Sequence, residues 1–163
     1  MPTPEELNRK GLELYKSGLL PEAIEAWEAA VAQKPDFAPA FINLCLAYMK
    51  RNRPDDAIHA AEKAVTLAPH HGACHYHLGN AFAAKGRWNE AVTEYVRAFE
   101  RDKAQLNALV LAGTLCLDHG LEARALEFWK QFLASAPADH PKRAEVQADV
   151  TAHEHAKPLI RKY

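Results

Sequence analysis

Residues 72–105 read GACHYHLGNAFAAKGRWNEAVTEYVRAFERDKAQ, and this 34-residue segment has in-phase counterparts along the rest of the chain. Alanine recurs at intervals of 34 residues, at Ala23, Ala57, Ala91 and Ala125. Glycine recurs at the same interval, at Gly18, Gly86 and Gly120, with Asn52 in the remaining position. A fixed period of this length is typical of a solenoid, in which one supersecondary unit is stacked repeatedly.

Apolar residues within each copy recur at helical spacing in two stretches that a turn residue separates. In residues 72–105 the first stretch contains Leu78 and Phe82, and the second contains Tyr95 and Phe99. Gly86 lies between them, where a helix needs a residue with left-handed backbone, and asparagine is the usual substitute for glycine there. The pattern therefore predicts an all-α chain of helix-turn-helix units.

The units resemble the tetratricopeptide repeat, whose pattern combines a Leu-Gly pair, aromatic residues, two alanines and a closing proline. In residues 72–105 the matching residues are His75, Leu78, Gly79, Phe82, Gly86, Ala91, Tyr95 and Ala98. The resemblance extends over four units, 4–37, 38–71, 72–105 and 106–139. It implies a right-handed α-solenoid of four helix-turn-helix repeats in a domain that spans residues 1–139.

Residues 140–163 follow the fourth unit and carry a narrow apolar stripe on an otherwise polar sequence. Asp139 is predicted to be the N-cap of a helix that has Pro141 in its first turn. Such a helix suits a C-terminal cap, which covers the last repeat on one side and faces water on the other. A short tail is expected after it.

The composition excludes several classes of protein. Twenty basic and 21 acidic residues leave a net charge of −1, so no general attraction to nucleic acid or to an anionic membrane is expected. The chain does not begin with the sequence of a signal peptide, and no apolar stretch is long enough to span a membrane. Its three cysteines, an odd number, favour a reducing compartment. We therefore expect a soluble, cytoplasmic protein.

An enzyme is not predicted. The two serines, Ser17 and Ser135, lie at predicted helix ends and not at a nucleophile elbow. The glycines serve the repeat, so none forms a phosphate-binding loop. Acidic residues such as Glu94 fall on second helices, whose outer face is expected to be solvated. We therefore expect no catalytic residues and no cofactor.

A histidine-rich segment, residues 70–77, contains five potential metal ligands in the sequence HHGACHYH. His71 and His75 are one helical turn apart, a spacing that can chelate zinc, nickel or copper. However, His75 occupies the large-residue core position of its unit, and His77 is expected to project toward the groove. Because these side chains do not converge on one point, we predict no metal site.

The first helices line the concave groove in the family that this chain resembles, and the binding site is expected there. The predicted groove residues are Asn8, Leu12, Tyr15, Ile42, Asn43, Leu46, Met49, Tyr76, His77, Asn80, Asn107, Val110, Thr114 and Leu117. An apolar strip lies off the core stripe, at Ile42, Leu46, Met49, Tyr76 and Val110. It predicts a partner that buries apolar side chains, such as an amphipathic helix or an extended peptide. Asn43, Asn80 and Asn107 are expected to anchor the partner's backbone.

One subclass of the family grips the acidic C-terminal peptide of heat-shock chaperones with lysine, arginine and asparagine side chains. The corresponding positions here are Asn8, Leu12, Asn43, Ala73 and His77, of which only Asn43 matches. The positive charge that a terminal carboxylate requires is therefore missing. Chaperone-tail binding is disfavoured.

Two alternatives to peptide binding remain open. RNA binding by related helical repeats needs basic groove residues to contact phosphates, whereas this groove is apolar. Self-assembly through the groove or an end surface is favoured by the first unit, which begins almost at residue 1 without a separate cap. The main prediction is a non-catalytic scaffold for a protein or peptide ligand, and a homo-oligomer is the alternative.

Overall fold

The computed structural model describes residues 1–156, and within that range it forms nine α-helices and no strand. The helices are α1 (Pro4–Lys16), α2 (Leu20–Gln33), α3 (Ala38–Lys50), α4 (Pro54–Leu67), α5 (Gly72–Ala84), α6 (Trp88–Arg101), α7 (Leu106–Asp118), α8 (Glu122–Ser135) and α9 (Arg143–Ala156). The first helices of the four pairs begin at residues 4, 38, 72 and 106, and the second helices at 20, 54, 88 and 122. The all-α repeat fold is confirmed. The predicted tail lies outside the described residues.

The turns within the pairs have the backbone conformation that the sequence predicts. Gly18, Gly86 and Gly120 have φ angles of +80°, +78° and +74°, and Asn52 has a φ of +54°. Glycine adopts this left-handed conformation without steric cost, and asparagine tolerates it better than most residues. Each first helix can therefore end abruptly and let the second helix fold back against it.

Three of the four helix pairs are held together by an aromatic ring against a glycine. Trp27 faces Gly11, Tyr95 faces Gly79, and Trp129 faces Gly113. A Cβ atom added at Gly11 or at Gly113 would lie 2.4 or 2.3 Å from the indole Nε1 opposite. Only glycine therefore admits a ring this close to the backbone of the first helix.

The α3–α4 pair has a different contact at the same two positions. Cys45 occupies the glycine position of α3, and Ala61 occupies the aromatic position of α4. Both residues are only 1% exposed, so the pair is closed although neither side chain is large. Here the larger of the two side chains is on the first helix instead of the second.

The pairs stack through contacts of each second helix with the following first helix, so α2 packs on α3, α4 on α5 and α6 on α7. The first helices also contact one another, α1 with α3 and α3 with α5. A single hydrophobic core runs through all pairs from Leu7 to Val150. The first helices consequently form a row that presents one extended face.

The last helix, α9, covers the end of the fourth pair. Val146 and Val150 are buried against α8, and Arg143 donates hydrogen bonds to the carbonyl oxygens of Leu133 (2.6 Å) and Ala136 (2.8 Å). The prediction that Asp139 caps this helix is wrong. The first helical hydrogen bond is donated by the Val146 amide to the Lys142 carbonyl, because Arg143 fixes the helix start beside the end of α8.

Candidate functional site

The predicted groove residues of α1, α3, α5 and α7 form what we call the first-helix face. Ile42 and Leu46 are half-buried and are not among the side chains that pack on the core of residues 1–156. Met49 and Tyr76 are also half-buried, but they pack against the core. Leu12 is 37% exposed at the α1 end of the face. The apolar surface of this face is therefore concentrated on α3 and its neighbours.

Val110 does not belong to this surface. It is 6% exposed and lies in the core, so the prediction that it lies off the core stripe is wrong. Valine is shorter than Tyr76 and Ile42, which occupy the same repeat position, so its side chain stays close to α7, within the contacts of that helix with α6 and α8. Its carbonyl oxygen accepts hydrogen bonds from Trp129 Nε1 (3.3 Å) and from the Thr114 hydroxyl (3.0 Å).

The α7 end of the face is more polar than the α3 end. Asn107 and Thr114 are exposed, and Leu117 is half-buried and packs on the core. The Thr114 hydroxyl already donates to its own helix, which leaves it less available to a partner. This end therefore offers a partner less apolar surface than α3 does.

The asparagine side chains are partly used within the fold. Asn43 Nδ2 donates to Asn8 Oδ1 (2.8 Å) and thereby links α3 to α1. Asn80 Oδ1 accepts from the Tyr95 hydroxyl (2.8 Å), which links α5 to α6. Each of these amides keeps either its NH₂ group or its oxygen for a partner. Asn107 is exposed.

A lysine covers the aromatic ring at the α1 end of the face. Lys50 Nζ lies 4.2 Å from the ring centroid of Tyr15, within the range of a cation–π contact. The Tyr15 ring in turn lies 5.9 Å from the Trp27 ring. Tyr15 therefore presents only part of its ring to a partner.

A depression opens in the first-helix face between α3 and α5, and we call it the α3–α5 pocket. Its volume is about 340 Å³, and it is lined by Cys45, Leu46 and Met49 of α3, His77, Asn80 and Ala83 of α5, and Tyr95 of α6. No lysine, arginine, aspartate or glutamate is among these residues. The pocket is thus an uncharged cavity in the middle of the predicted groove.

The titratable groups of the pocket are neutral near physiological pH. Burial lowers the pKa of His77 from its ordinary 6.5, and the nearby His71 lowers it further. Burial also raises the pKa of the Cys45 thiol to about 12. The thiol donates a weak hydrogen bond to the His77 carbonyl oxygen, with 3.8 Å between sulfur and oxygen. His77 Nδ1 is buried without a hydrogen-bond partner among the described residues. The pocket is therefore built for neutral groups.

The sequence spacing places Leu46, Met49, His77, Asn80 and Ala83 along the groove, but it did not reveal the cavity or the part that Cys45 and Tyr95 have in it. Ala83 is the smallest residue at its repeat position, where the other units have Tyr15, Met49 and Leu117. Cys45 and Tyr95 were assigned to the core alone, yet both line the pocket. An alanine at a repeat position where the other three units have a large side chain was the signal that could have revealed the cavity.

A second cavity, of about 600 Å³, lies on the opposite helices, where Glu62 and Val65 of α4 face Glu90 and Arg97 of α6. Glu94, at its edge, is 6% exposed, so the prediction that Glu94 lies on a solvated face is wrong. Its carboxylate pairs with His75 Nδ1 (2.7 Å) and with Arg97 (2.5 Å), and these partners compensate its buried charge.

The histidine-rich segment is divided between different environments. His75 is buried, and its Nε2 lies 3.1 Å from the Pro69 carbonyl oxygen, so both ring nitrogens have partners within the fold. His70 and His71 are exposed, and Cys74 is fully buried. Within residues 1–156, no three His, Cys, Asp or Glu side chains are grouped as metal ligands would be. The absence of a metal site stays a prediction.

In the part of the chain that the structure describes, none of the helices combines the length and the apolar character that crossing a membrane requires.

The sequence matches the family model described as "Tetratricopeptide repeat" in three overlapping windows, residues 8–70, 42–105 and 76–140. Successive windows begin 34 residues apart, at residues 8, 42 and 76. The windows together span residues 8–140, which is most of the chain and includes all four helix pairs except the first four residues of α1.

Two curated proteins are similar over part of their length. Small glutamine-rich tetratricopeptide repeat-containing protein 2 of Mycosarcoma maydis is 31% identical over 98 residues, which are 60% of this chain and 28% of that protein. Cytochrome c-type biogenesis protein CycH of Pseudomonas aeruginosa is 26% identical over 136 residues, or 76% of this chain and 31% of that protein. The chain thus spans less than a third of either relative.

Solved structures with the same fold cover most of the chain. A crystal structure of MamA has a TM-score of 0.74 and 20% identity, and the match covers 94% of this chain and 97% of that one. PilF of Pseudomonas aeruginosa has a TM-score of 0.80 and 19% identity over 94% of this chain and 69% of its own. The first TPR of Spaghetti (RPAP3), bound to the HSP90 peptide SRMEEVD, has a TM-score of 0.70 and 21% identity over 72% and 94%. At these identities the likeness shows the fold alone.

Proposed function

This chain belongs to the tetratricopeptide repeat family, and we propose that it is a non-catalytic scaffold that binds an apolar peptide or helix along its first-helix face. Proteins of this family are generally protein-interaction scaffolds and are typically not catalysts. The proposal goes further for this chain, because it names the first-helix face as the binding surface and an apolar peptide or helix as the partner.

One observation carries the proposal: Ile42 and Leu46 present apolar side chains that the core does not use, directly beside the uncharged α3–α5 pocket. Apolar surface that is left partly in water and lies next to a cavity is typical of a binding site. Burial of these side chains by a partner contributes roughly 25 cal/mol for each Å² removed from water. The amides of Asn43 and Asn80 lie beside them and can bond the backbone of the partner.

An acidic peptide such as the SRMEEVD segment in the RPAP3 complex does not suit this face. Of the five positions that would form a carboxylate clamp, only Asn43 matches, and its NH₂ group is bonded to Asn8. His77 supplies no positive charge, because its pKa is lowered by burial. Lys50 covers the Tyr15 ring at the α1 end of the face, but the pocket lining contains no lysine or arginine, which disfavours RNA because its phosphates need such cations along the groove.

A second candidate function, self-assembly, is favoured by the outer side of the first pair. A depression of about 370 Å³ lies between α1 and α2, and its lining combines apolar residues with charged ones: Leu7, Leu14, Ala26 and Ala29 with Lys10, Glu22 and Glu25. A second copy of the chain could cover this side, and Ala29→Glu would then reduce the mass measured by light scattering.

The proposal is tested with a displayed library of random peptides selected on the immobilised chain. Peptides that bind the wild type should lose binding to Ile42→Asp/Leu46→Asp, because carboxylates at these positions interrupt the apolar surface. The control variant is Ala123→Asp/Gln131→Asp, which places the same charges on exposed positions of α8. Circular dichroism checks that all three proteins keep the same helicity.

Two results decide whether the partner binds on the first-helix face. Binding that survives Ile42→Asp/Leu46→Asp but is lost in the α8 control would place the partner on the second helices and contradict the proposal. Salt provides an independent criterion, since apolar contacts persist at high ionic strength whereas exposed charge contacts are screened. A selected peptide should therefore bind with similar affinity at low and at high salt.

A further inference from the structure

We propose that the α3–α5 pocket is an anchor site that receives one aromatic side chain, tyrosine or tryptophan, from the polypeptide bound on the first-helix face. This inference rests on the proposed function, because it names the partner residue that the face selects. It is carried by the size of the pocket, by the residues of its wall and by the hydrogen-bonding groups that remain free there.

The pocket has the size for one large side chain. Its volume of about 340 Å³ is near the lower end of the range of ligand pockets in proteins, about 300–1,000 Å³. It exists because Ala83 stands where the other units carry Tyr15, Met49 or Leu117. A missing large side chain in an otherwise regular row leaves a space that a side chain of the partner can fill.

The wall of the pocket is suited to an aromatic ring. Leu46 and Met49 form one side, and the ring of Tyr95 lies on α6 behind α5. A thioether makes favourable contacts with aromatic rings, and aromatic pairs prefer tilted or edge-on arrangements. Tyr76 and Tyr95 already make such a contact, with their ring centroids 6.0 Å apart and a tilt of 50°. An entering ring would extend this aromatic cluster.

The polar groups of the pocket favour an aromatic side chain that also forms hydrogen bonds. Asn80 Oδ1 accepts a hydrogen bond from the Tyr95 hydroxyl, and the NH₂ group of Asn80 remains free. The hydroxyl of Tyr95 donates to Asn80 and can still accept a bond. A phenol hydroxyl can accept from Asn80, and an indole N–H can donate to Tyr95 or to neutral His77. Phenylalanine and leucine would leave these groups without a bond in the complex, which costs affinity.

Charged side chains are excluded by the same wall. The residues that line the pocket include no lysine, arginine, aspartate or glutamate, and His77 and Cys45 are neutral. A lysine or glutamate of the partner would lose its hydration without gaining an opposite charge, which is strongly unfavourable. The pocket therefore discriminates by charge as well as by shape. Tyrosine and tryptophan are also the residues that most often dominate the energetics of protein interfaces.

The pocket can be tested without a known partner by using small analogues of side chains. We would titrate the ¹⁵N- and methyl-labelled chain with p-cresol and 3-methylindole, which stand for tyrosine and tryptophan. The comparison ligands are toluene, n-butylamine and propionate, which stand for phenylalanine, for a basic side chain and for an acidic side chain. The aromatic analogues should shift the signals of Leu46, Met49, Asn80 and Ala83, and the comparison ligands should shift them several-fold less at equal concentration.

The variant Ala83→Leu fills the pocket with the residue that the fourth unit carries at Leu117, so the fold should tolerate it. It should abolish the shifts caused by p-cresol and 3-methylindole. The control is Ala84→Leu, which adds the same group to the same helix at an exposed position outside the pocket lining. It should leave the shifts unchanged. Unaltered binding in Ala83→Leu, or equal binding of all five analogues, would overturn the anchor site.

The peptide selection separates failure of the anchor site from failure of the proposed function. If the site is correct, selected peptides share a tyrosine or tryptophan, and replacing it by alanine costs them most of their affinity. Peptides that lose binding to Ile42→Asp/Leu46→Asp but carry no common aromatic residue would overturn the anchor site and leave the proposed function intact. Peptides that are indifferent to Ile42→Asp/Leu46→Asp would contradict the proposed function itself.

Discussion

The α3–α4 pair and the α7–α8 pair have the same backbone arrangement but close their interiors in different ways. In the α7–α8 pair, Trp129 of the second helix lies against Gly113 of the first, and its Nε1 reaches the Val110 carbonyl oxygen at 3.3 Å. In the α3–α4 pair, Ala61 replaces the ring and Cys45 replaces the glycine. In the α3–α4 pair the larger side chain of this contact is therefore on the first helix, whereas in the α7–α8 pair it is on the second.

This difference supports the proposal that the α3–α4 pair carries the binding surface. The α7–α8 pair uses its large ring to build the core, and its first helix has the buried Val110 on the predicted groove side. The α3–α4 pair has a thinner interior, and its first helix carries Ile42, Leu46 and Met49 on the open face beside a cavity. The pair that deviates most from the repeat pattern is therefore the one that offers a partner the most apolar surface.

The largest expected effect concerns the ring of the α7–α8 pair. Trp129→Ala should lower the free energy of unfolding by roughly 3–5 kcal/mol, because it leaves a cavity beside Gly113. Cys45→Ala, the matched change in the α3–α4 pair, removes a single sulfur atom and should cost only about 1 kcal/mol. Denaturant titration followed by circular dichroism measures both values. Equal losses in the two variants would contradict the contrast between the pairs.

The second prediction exchanges the two kinds of contact. Ala61→Trp should cost about 1–3 kcal/mol, because the indole meets the Cys45 side chain in a closed interior. Adding Cys45→Gly should recover much of that loss, since glycine accommodates the ring in the first and fourth pairs. A double-mutant cycle measures the coupling between the two positions. Additive effects would show that Cys45 and Ala61 do not form the equivalent of the glycine–aromatic contact.

The third and smallest effect is a difference in alkaline stability. Burial raises the pKa of the Cys45 thiol from 9.0 to about 12, so the folded chain holds this proton more tightly than the unfolded chain. The resulting stabilisation is present below pH 9 and is lost as the pH rises toward 12. Urea titrations at pH 8 and at higher pH should show a smaller loss for Cys45→Ala than for the wild type. The same loss in both proteins would contradict this effect.

Much of the fold could be predicted because the repeat period and the turn residues are local signals. Gly86 and Asn52 mark positions where the backbone must be left-handed, and a constant period locates the helices between them. The start of α9 could not be read in this way, because it depends on hydrogen bonds from Arg143 to the end of a different helix. In the local sequence Asp139 is a good N-cap candidate. The hydrogen bonds from Arg143 to the end of α8 nevertheless place the start of the helix later.

The candidate site was less predictable than the fold because exposure on a helix face depends on the neighbouring helices. Val110 follows the same helical spacing as Ile42, yet Val110 lies in the core and Ile42 does not. Glu94 occupies a helix that is mostly polar, but His75 of another helix draws its carboxylate inside. The α3–α5 pocket depends on Ala83 and Cys45 together, and no single unit contains both residues.

The most direct measurement is a chemical-shift map of the ¹⁵N-labelled chain with a peptide selected from the random library. We expect the largest changes on α3 and α5, around Leu46, Asn80 and Ala83. Little change is expected around Glu62, Thr93 and Arg97, which line the cavity on the opposite helices. Changes centred on that second cavity, with the signals of α3 and α5 unaffected, would contradict the assignment of the first-helix face as the binding surface.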